Sequence, residues 1–291
     1  MTGRLIKVFQ ANVGRKGPAH DAALQLAMEE KCAVAILQEP WTEIEEDRAM
    51  TKTHPAFKLT LPSTRWEQRP RVLTYVSKEH QSYPVRTPLS RDLLQVHLPE
   101  LGLDILNVYR PPGDGGHGRT TADLVTISPT GCFVAGGDFN AIAPTWQKWG
   151  SPRGGDLWVE AWAADQGLAL VSPQDLATHE DGNVLDLAFS NIPGASANIE
   201  QHLATGSDHE TLLIEVPASR RGGEARRGTK LRKVPGEQFL GLLQGALNRN
   251  LPPPPRSAEE LEHYTNALVE AVTMVRQACD TVTLSGPLGA P

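Results

Sequence analysis

Short apolar runs separated by polar stretches occupy the first 216 residues of this chain. Most runs have the length and the content of Val, Ile and Leu that are typical of buried or half-buried strands. Two segments, 20–31 and 156–166, carry their apolar residues at helical spacing instead. The pattern predicts strands at residues 5–13, 33–37, 57–61, 72–76, 93–98, 103–109, 132–135, 168–171, 184–189 and 211–216.

The order of these elements predicts a mixed α and β fold. Strands in the first half follow one another with no helix between them, as in hairpins. A doubly wound parallel sheet, in which strands and helices alternate, therefore fits poorly.

The character of the sequence changes after Val216. A basic stretch that contains glycine precedes a predicted helix at 236–247, a proline run at 252–255 and a second helix that begins at Ser257. Ser257 and Glu260 have the spacing of a capping box, which marks the start of a helix. The sequence therefore predicts a folded domain at 1–217, a basic linker at 218–234 and a helical extension at 235–291.

Charge divides the chain at the same place. Residues 1–216 hold 18 Lys and Arg against 27 Asp and Glu, a net charge of −9, and the remaining residues hold 10 against 7, a net charge of +3. The acidic part argues against a protein that coats nucleic acid without regard to sequence, because such affinity comes from phosphate neutralisation. Two basic runs, 65–71 and 220–233, are candidate nucleic-acid contacts, although solvated loops have the same composition.

Targeting signals and cysteine frameworks are not predicted. The first residues lack the apolar stretch of a signal peptide, and no run reaches the roughly 18 apolar residues of a membrane helix. We therefore expect an intracellular protein, in the nucleus or the cytoplasm, with no membrane partner. The three cysteines are far apart, which fits buried small hydrophobic residues better than disulfides or a zinc finger.

Five short polar motifs lie at the ends of apolar runs. Several hard oxygen ligands, a histidine and a carboxylate that could orient it form the inventory for divalent-metal chemistry on phosphodiesters or phosphomonoesters. Each motif alone is weak, and the set is informative. The motifs are 10–12, 37–41, 107–111, 136–140, and Asp186 followed by 207–209.

Asn12, Glu39 and Asp138 are the oxygen donors predicted to lie at a metal. Each stands at the end of a predicted strand, and strand ends of one sheet converge on a common edge. Asn140 follows two residues after Asp138 on the same face. Mg²⁺ or Mn²⁺ suits such an all-oxygen site. Turns and charged rims also use these residue types, so each residue alone has a structural alternative.

Asp186 and His209 are predicted to form a pair. Asp186 interrupts the apolar run 184–189, and a buried carboxylate is costly unless a partner satisfies it. His209 is our choice of partner, and Asp208 precedes it. Such a pair would hold the imidazole in place and favour its cationic form near a phosphate.

Aromatic and basic residues near these motifs are candidate substrate contacts. Tyr109 ends an apolar run and either caps the core or reaches the active centre. Trp146 and Trp149 either stack on bases or fill the core, with the core slightly favoured. The predicted substrate-binding set is Arg65, Arg69, Arg71, Arg110 and Trp146.

The ordered motifs resemble the endonuclease/exonuclease/phosphatase superfamily, the relatives of deoxyribonuclease I and exonuclease III, over residues 5–216. The resemblance implies an α+β fold, a four-layer sandwich of two packed mixed sheets flanked by helices, with the helical extension appended. It also implies that Glu39 is the principal metal ligand, with Asn12 and Asp208 beside it. The implied catalytic residues are Asp138 and Asn140 at the attacking water, and Asp186, His209 and Tyr109 at the phosphate.

Within that superfamily, the motifs 107–112, 137–141 and 185–189 are similar to the endonuclease domains of fungal LINE-type, non-LTR retrotransposons. Residues 230–280 resemble the connector to the reverse transcriptase of such proteins. We therefore expect DNA as substrate and either a reverse-transcriptase partner, a missing downstream domain or a standalone copy. Pro112 stands where many DNA-cleaving relatives have an asparagine that touches the phosphate. This departure weakens the expectation of both that phosphate contact and abasic-site activity.

Three functions are consistent with the sequence. The leading one is a Mg²⁺-dependent endonuclease that nicks DNA. A phosphatase or phosphodiesterase of the same fold, acting on a phospholipid, inositol phosphate or nucleotide, is the second. A non-catalytic remnant that binds nucleic acid or protein is the third. The preferred site, the choice of DNA or RNA and the oligomeric state are left open.

Overall fold

The computed structural model describes residues 5–45, 48–62, 69–85, 90–114, 118–153 and 155–218, together with Glu260, Tyr264 and Ala267. The chain divides into two compact units, residues 1–221 and 222–291. In the second unit the three described residues are helical, where a helix beginning at Ser257 is predicted. The predicted helix at 236–247 and nearly all of the basic linker lie outside the described residues.

The first unit contains three α-helices, a 3₁₀ turn and fourteen strands among its described residues. The helices are α1 Gly17–Glu29, α2 Arg119–Leu124 and α3 Asp156–Asp165, and the 3₁₀ turn is Gln201–Leu203. The strands are β1 Leu5–Asn12, β2 Val34–Gln38, β3 Thr42–Glu45, β4 Arg48–Thr51, β5 Phe57–Thr60, β6 Val72–Ser77, β7 Tyr83–Pro84, β8 Leu93–Leu98, β9 Leu103–Tyr109, β10 Cys132–Asp138, β11 Ala169–Leu170, β12 Asp186–Ser190, β13 Ser196–Ile199 and β14 Leu212–Pro217.

Twelve of the strands form two six-stranded sheets. Sheet 1 has the order β13-β14-β1-β2-β6-β5, and sheet 2 has the order β11-β12-β10-β9-β8-β7. Each sheet has one parallel pair at its centre, β1 with β2 and β9 with β10, and its other pairs are antiparallel. The sheets are therefore mixed, as predicted.

The sheets pack face to face, and helices cover their outer faces. Residues such as Val8, Ile36 and Ile105 fill the space between the sheets. Ala23 and Leu24 of α1 pack with the outer face of sheet 1, and α3 packs with the outer face of sheet 2. The four layers are α1, sheet 1, sheet 2, and α2 with α3, which confirms the predicted sandwich.

Gly136 and Gly137 allow close backbone contacts in β10. A Cβ at Gly136 would lie 2.8 Å from Ile36 Cδ1 and 3.0 Å from Ile214 Cδ1, so the absent side chain lets the sheets approach. A Cβ at Gly137 would lie 1.9 Å from the Val108 carbonyl oxygen, and φ is +152° there. Both positions therefore require glycine or a local rearrangement.

The hydrophobic pattern missed elements that bury little apolar surface. Strands β3 and β4 form a separate two-stranded sheet, and their Ile44 and Met50 are 37% and 36% exposed. In β13 the fully buried apolar residue is Ala197. Strand β7 and helix α2 are short and were not predicted, and α1 begins at Gly17, three residues earlier than predicted, with Pro18 in its first turn.

The cysteine prediction needs one correction. Cys32 is buried, and burial raises the pKa of its thiol to about 12. Cys132 is exposed at the start of β10, where the strand emerges from the sandwich. Cys279 lies outside the described residues. Among the described helices, none is both long and apolar enough to cross a bilayer.

Candidate active site

Strand directions bring the predicted site residues to one edge of the sandwich. The parallel strands β1, β2, β9 and β10 end there, and their antiparallel neighbours β6, β8, β12 and β14 begin there. The sequence predicted convergence within a single sheet. Instead, Asn12 and Glu39 come from sheet 1, and Tyr109 and Asp138 come from sheet 2.

A cleft of about 690 Å³ opens at this edge. Asp186 lies behind it, fully buried at the first residue of β12. Pro112, whose position departs from the resemblance, also lines the cleft. The predicted metal and catalytic residues that line it are Asn12, Glu39, Tyr109, Asp138, Asn140, Asp208 and His209.

Asp186 and His209 form the predicted pair. His209 Nδ1 lies 2.8 Å from Asp186 Oδ2, and their side chains are 8% and 0% exposed. Burial would lower the pKa of His209, but the neighbouring carboxylates, Asp186 above all, outweigh it and raise the pKa to about 9. The imidazole is therefore cationic at neutral pH. The Asp186 backbone N–H donates to Thr178 Oγ1 at 2.9 Å, which fixes the start of the strand.

Asp138 lies between the two sheets. It accepts hydrogen bonds from Asn12 Nδ2 at 2.9 Å and from the Asn140 backbone N–H at 3.0 Å. Its Oδ2 is 4.0 Å from His209 Nε2. Burial and the nearby charge of Asp186 raise the pKa of Asp138, while His209 and the two hydrogen bonds oppose that rise. A carboxylate with a raised pKa, at the floor of a cleft, is suited to accept a proton.

Glu39 occupies a strained backbone position at the end of β2. Its φ is +43°, a left-handed conformation that is uncommon for a glutamate. Its Oε1 accepts from Arg15 Nη2 at 2.6 Å and from the Tyr109 hydroxyl at 3.0 Å. Arg71 lies over the Tyr109 ring, with its Cζ 4.9 Å from the ring centroid. These contacts aim the carboxylate into the cleft.

Asp208 also lines the cleft, and its side chain is 37% exposed. Its carboxylate is 3.7 Å from Lys16 Nζ and 3.7 Å from His179 Nε2. Burial would raise the pKa of Asp208, but a backbone hydrogen bond and the cationic neighbours lower it overall. The ring of His179 packs edge-on against His209, with centroids 4.6 Å apart.

Arg110 lines the cleft, as predicted for a substrate contact, but its side chain is buried. It is 2% exposed, and Nη1 donates to the Asn140 carbonyl at 2.9 Å and to Asp156 Oδ1 at 3.0 Å. Nε donates to Thr121 Oγ1 at 2.9 Å. This burial and these internal partners argue against direct contact with substrate. Arg110 instead fastens the Asn140 turn, where φ is +42°, to α2 and α3.

The remaining predicted substrate contacts divide three ways. Trp146 is a correction: it is fully buried, donates from Nε1 to the Ala141 carbonyl at 3.0 Å and packs edge-on against Phe189. Arg69 is exposed and Arg71 half-buried in a second cavity of about 600 Å³, which shares Glu39 with the cleft. Arg65 lies outside the described residues.

Three buried amides behind the site were not assigned a role from the sequence. Gln10, Gln38 and Asn107 are all 0% exposed and connect the two sheets by hydrogen bonds. A signal for them exists in the pattern. Every second residue of a strand faces the other sheet. Along β1 these inward residues are Ile6, Val8, Gln10 and Asn12, so aliphatic side chains are replaced by amides as the strand approaches the cleft.

The donors in the cleft fit a hard divalent cation. Glu39, Asp208 and the Asn12 amide offer oxygen, and no hydrogen-bond partner is seen for Glu39 Oε2 within the described residues. No group of three His, Cys, Asp or Glu in the described parts of the chain has the geometry of a metal cage. Mg²⁺ fits such a sparse set, because it is held by one or two carboxylates, waters and substrate phosphates.

One family model matches part of this chain. The family model described as "Endonuclease-reverse transcriptase" matches residues 103–213. The comparison with curated proteins finds no match.

Solved structures with this fold include several nucleases. The endonuclease domain of TRAS1, a telomere-specific non-LTR retrotransposon, is 18% identical with a TM-score of 0.58, covering 75% of this chain and 100% of its own. The AP endonuclease LMAP from Leishmania major is 13% identical with a TM-score of 0.58, covering 74% and 89%. A 3′ phosphatase, NExo, from Neisseria bound to a product DNA hairpin is 15% identical with a TM-score of 0.52, covering 72% and 99%. These findings confirm the predicted resemblance to the endonuclease/exonuclease/phosphatase superfamily.

Proposed function

We propose that this protein is a divalent-metal-dependent endonuclease that nicks DNA by hydrolysing phosphodiester bonds, as a retrotransposon nuclease does. One observation carries the proposal. A single cleft joins an ion-paired His209–Asp186, a buried Asp138 with a raised pKa, and oxygen donors suited to a hard cation. That combination provides a base, a cation for phosphate and a metal position in one place.

The roles follow from position in the cleft. Asp138 orients the attacking water and takes its proton, and Asn140 supports it from the adjoining turn. His209, kept cationic by Asp186, stabilises the negative charge that develops on the phosphate oxygens. Tyr109, tied to Glu39 at 3.0 Å, positions the phosphate from the opposite wall.

Glu39, Asn12 and Asp208 are the residues that would hold Mg²⁺, with Mn²⁺ as a substitute. When bound, the ion would supply Lewis-acid stabilisation of charge on the phosphate and the leaving oxygen. The ion pair of Glu39 with Arg15, at 2.6 Å, keeps the carboxylate oriented toward that position.

DNA would extend from the cleft over the second cavity. Arg15, Arg69, Arg71 and Arg91 line that cavity with Trp41. Arg71 donates from Nε to Asp92 Oδ1 at 2.5 Å and from Nη2 to Asp92 Oδ2 at 2.6 Å. These two bonds hold its guanidinium group in one orientation. Arg69 is exposed and is the better candidate for direct phosphate contact, and Arg65 is proposed as a further contact.

The test uses supercoiled plasmid, RNA and a panel of small phosphates, each with purified protein and Mg²⁺. We expect plasmid nicking that EDTA abolishes. Glu39→Gln should remove it, because lost charge at the metal can cost several kcal/mol of transition-state stabilisation. Glu29→Gln is the matched control, because Glu29 is exposed on α1 and lines neither the cleft nor the second cavity. Wild-type nicking by Glu39→Gln, or nicking that resists chelation, would reject the proposal.

The phosphatase alternative is favoured by one observation. The first 216 residues carry a net charge of −9, which suits a small phosphate better than a long polyanion. The same panel separates the two functions, because a phosphatase would release phosphate from small substrates and leave plasmid intact. Inactivity on all substrates would favour the third reading, a remnant that binds without catalysis.

The basic run 220–233 is proposed to add phosphate contacts, and a reverse transcriptase is the proposed partner, in line with the family description. A protein that ends at Pro217 should cleave with a similar catalytic step but bind DNA more weakly. Its binding should also depend less steeply on salt, because fewer phosphates are neutralised. Binding by nuclease-dead Glu39→Gln proteins of both lengths, at several salt concentrations, measures this. Equal slopes would make the run a spacer or a protein-docking element.

A further inference from the structure

Three buried amides link the backbone of sheet 1 to the carboxylate of Asp186. Asn107 Nδ2 donates to the Leu73 carbonyl at 2.9 Å, and Asn107 Oδ1 accepts from Gln38 Nε2 at 2.7 Å. Gln38 Oε1 accepts from Gln10 Nε2 at 2.9 Å, and the same Gln10 nitrogen donates to Asp186 Oδ1 at 2.9 Å. The chain of bonds therefore crosses between the sheets and ends at the residue that holds His209.

The direction of donation in this chain is fixed at its first member. A backbone carbonyl can only accept, so Asn107 must turn its NH₂ group toward Leu73 and its oxygen toward Gln38. That orientation makes Gln38 donate to Asn107 and accept from Gln10. Gln10 is left with one N–H, which points at Asp186.

Asp186 is thus held at both of its oxygens. Gln10 donates to Oδ1 at 2.9 Å and His209 donates from Nδ1 to Oδ2 at 2.8 Å. Both carboxylate oxygens have a fixed partner, so the carboxylate plane cannot rotate without breaking one bond. The ring of His209 follows that plane because its own hydrogen bond is directed.

We infer that Gln10 is a positioning residue for the active site, oriented by Gln38 and Asn107, which sets the direction of His209 through Asp186. The inference rests on the proposed function for its kinetic effect. Gln10 touches neither the cleft nor a substrate, and it is fully buried. No donor among the described residues reaches its Oε1. The burial of this oxygen therefore has a cost, which the two donated bonds must offset.

The experiment compares Gln10→Met, Gln10→Leu and the control Gln95→Met. Gln95 is a buried glutamine of β8 outside this chain of bonds, with 8% exposure. Both Gln10 variants are close to glutamine in volume, cannot ionise and remove the donor to Asp186. We expect each to lower kcat on plasmid by about 10- to 100-fold, the usual effect of removing an outer hydrogen-bond partner, with KM within about 2-fold of wild type. Gln95→Met should leave both constants unchanged.

A second measurement does not depend on activity. The Nδ1 proton of His209, observed by NMR in protein with ¹⁵N-labelled histidine and assigned by its loss in Asp186→Ala, should shift or exchange faster in both Gln10 variants. It should be unchanged in Gln95→Met. If even the wild-type protein cleaves no phosphodiester, the proposed function fails while the NMR result still decides the inference.

Additivity separates positioning from general destabilisation. Adding Gln10→Met to Asp186→Asn should reduce kcat less than 2-fold further, because Gln10 acts only through Asp186. A folded Gln10 variant with wild-type kcat and an unchanged His209 signal would overturn the inference. So would losses that multiply in the double variant. Gln10→Leu supplies the same readouts if Gln10→Met does not fold.

Discussion

Two histidine–aspartate pairs with nearly equal geometry lie at opposite ends of sheet 2. His209 Nδ1 is 2.8 Å from Asp186 Oδ2 at the cleft, and His97 Nδ1 is 2.7 Å from Asp104 Oδ1 at the far end. Their surroundings differ. His209 is 8% exposed and Asp186 is 0% exposed, whereas His97 is 42% exposed.

The difference shows that distance alone does not make a pair functional. The far pair is a cross-strand contact between β8 and β9 in which Asp104 is 11% exposed but the imidazole of His97 is open to solvent. The cleft pair has Asp138 4.0 Å from its other nitrogen and Gln10 on its other carboxylate oxygen. Low local dielectric and fixed neighbours give the cleft pair its strength, and they depend on the polar end of the space between the sheets.

The sharpest way to break this comparison is to remove each pair. Asp186→Asn and His209→Ala should each lower kcat by about 10²- to 10³-fold, the usual cost of losing one group that stabilises developing charge. The double variant should be little worse than the poorer single variant, because the two residues share one task. Asp104→Asn and His97→Ala should leave kcat within about 2-fold. Plasmid nicking by the wild-type protein and these five variants provides the measurement.

Two outcomes of that series would change the interpretation. Multiplicative losses at the cleft would mean that Asp186 and His209 act independently. A large loss from the far pair would show that its effect reaches the cleft through β9, which carries both Asp104 and Tyr109.

A second comparison concerns the packing between the sheets. The interior is aliphatic away from the cleft, so a cavity there should affect the fold and not the chemistry. Ile105→Ala, in the middle of β9, should lower the free energy of unfolding by about 2 to 5 kcal/mol. The kcat at a temperature where the protein is folded should be unchanged. Urea unfolding and plasmid nicking of the same preparation test both halves.

A substitution at the polar end of the space between the sheets, next to the cleft, should affect activity as well. Asn107→Leu, two residues along the same inward face, should reduce kcat as well as stability, because it removes the first amide of the chain that reaches Asp186. If Ile105→Ala and Asn107→Leu lowered kcat equally at matched stability, the division of the interior into an aliphatic and a polar end would be wrong.

Much of the fold could be predicted because it follows from local apolar periodicity. The ten predicted strands and the helices α1 and α3 all exist, with shifts of a few residues at their ends. Strands β3 and β4 were not predicted because their side chains bury little surface. Their pairing depends on neighbouring segments and not on a hydrophobic pattern in their own sequence.

The residues of the candidate site and its Asp186–His209 pair were predictable, but its other contacts were not. Glu39, Asp138 and His209 stand out as polar groups at the ends of apolar runs, and the cleft gathers them. The burial of Arg110 was not predicted, and Trp146 was kept among the substrate contacts, because a sequence does not show which face of a loop turns inward. No role was predicted for Gln10 and Gln38 because their partners depend on how strands pair and sheets pack. Gln10 bonds to Gln38, 28 residues away in sequence, and to Asp186, 176 residues away.

A third buried polar contact lies outside both ends and sharpens the comparison further. His20 of α1 is 0% exposed, with Nε2 2.9 Å from the Tyr75 hydroxyl on the outer face of sheet 1. Burial lowers the pKa of His20 from 6.5 to about 4. If burial alone made a polar group catalytic, this contact would matter to activity. We expect it to affect only the pH dependence of stability.

The direction of that effect follows from the lowered pKa. Below about pH 6.5 the unfolded chain binds a proton at His20 that the folded protein does not accept until about pH 4. The free energy of unfolding therefore falls through this window, by about 2 to 3 kcal/mol between pH 7.5 and 4.5. His20→Gln, which does not titrate, should lack this share of the loss.

Taking the difference between the wild-type protein and His20→Gln cancels the contribution of His209, which both proteins carry. Urea unfolding at the two pH values measures the difference, and kcat at neutral pH should be equal. An unchanged pH dependence in His20→Gln would mean that water reaches His20, and a lower kcat would mean that α1 sets the position of the cleft residues that precede it in the chain.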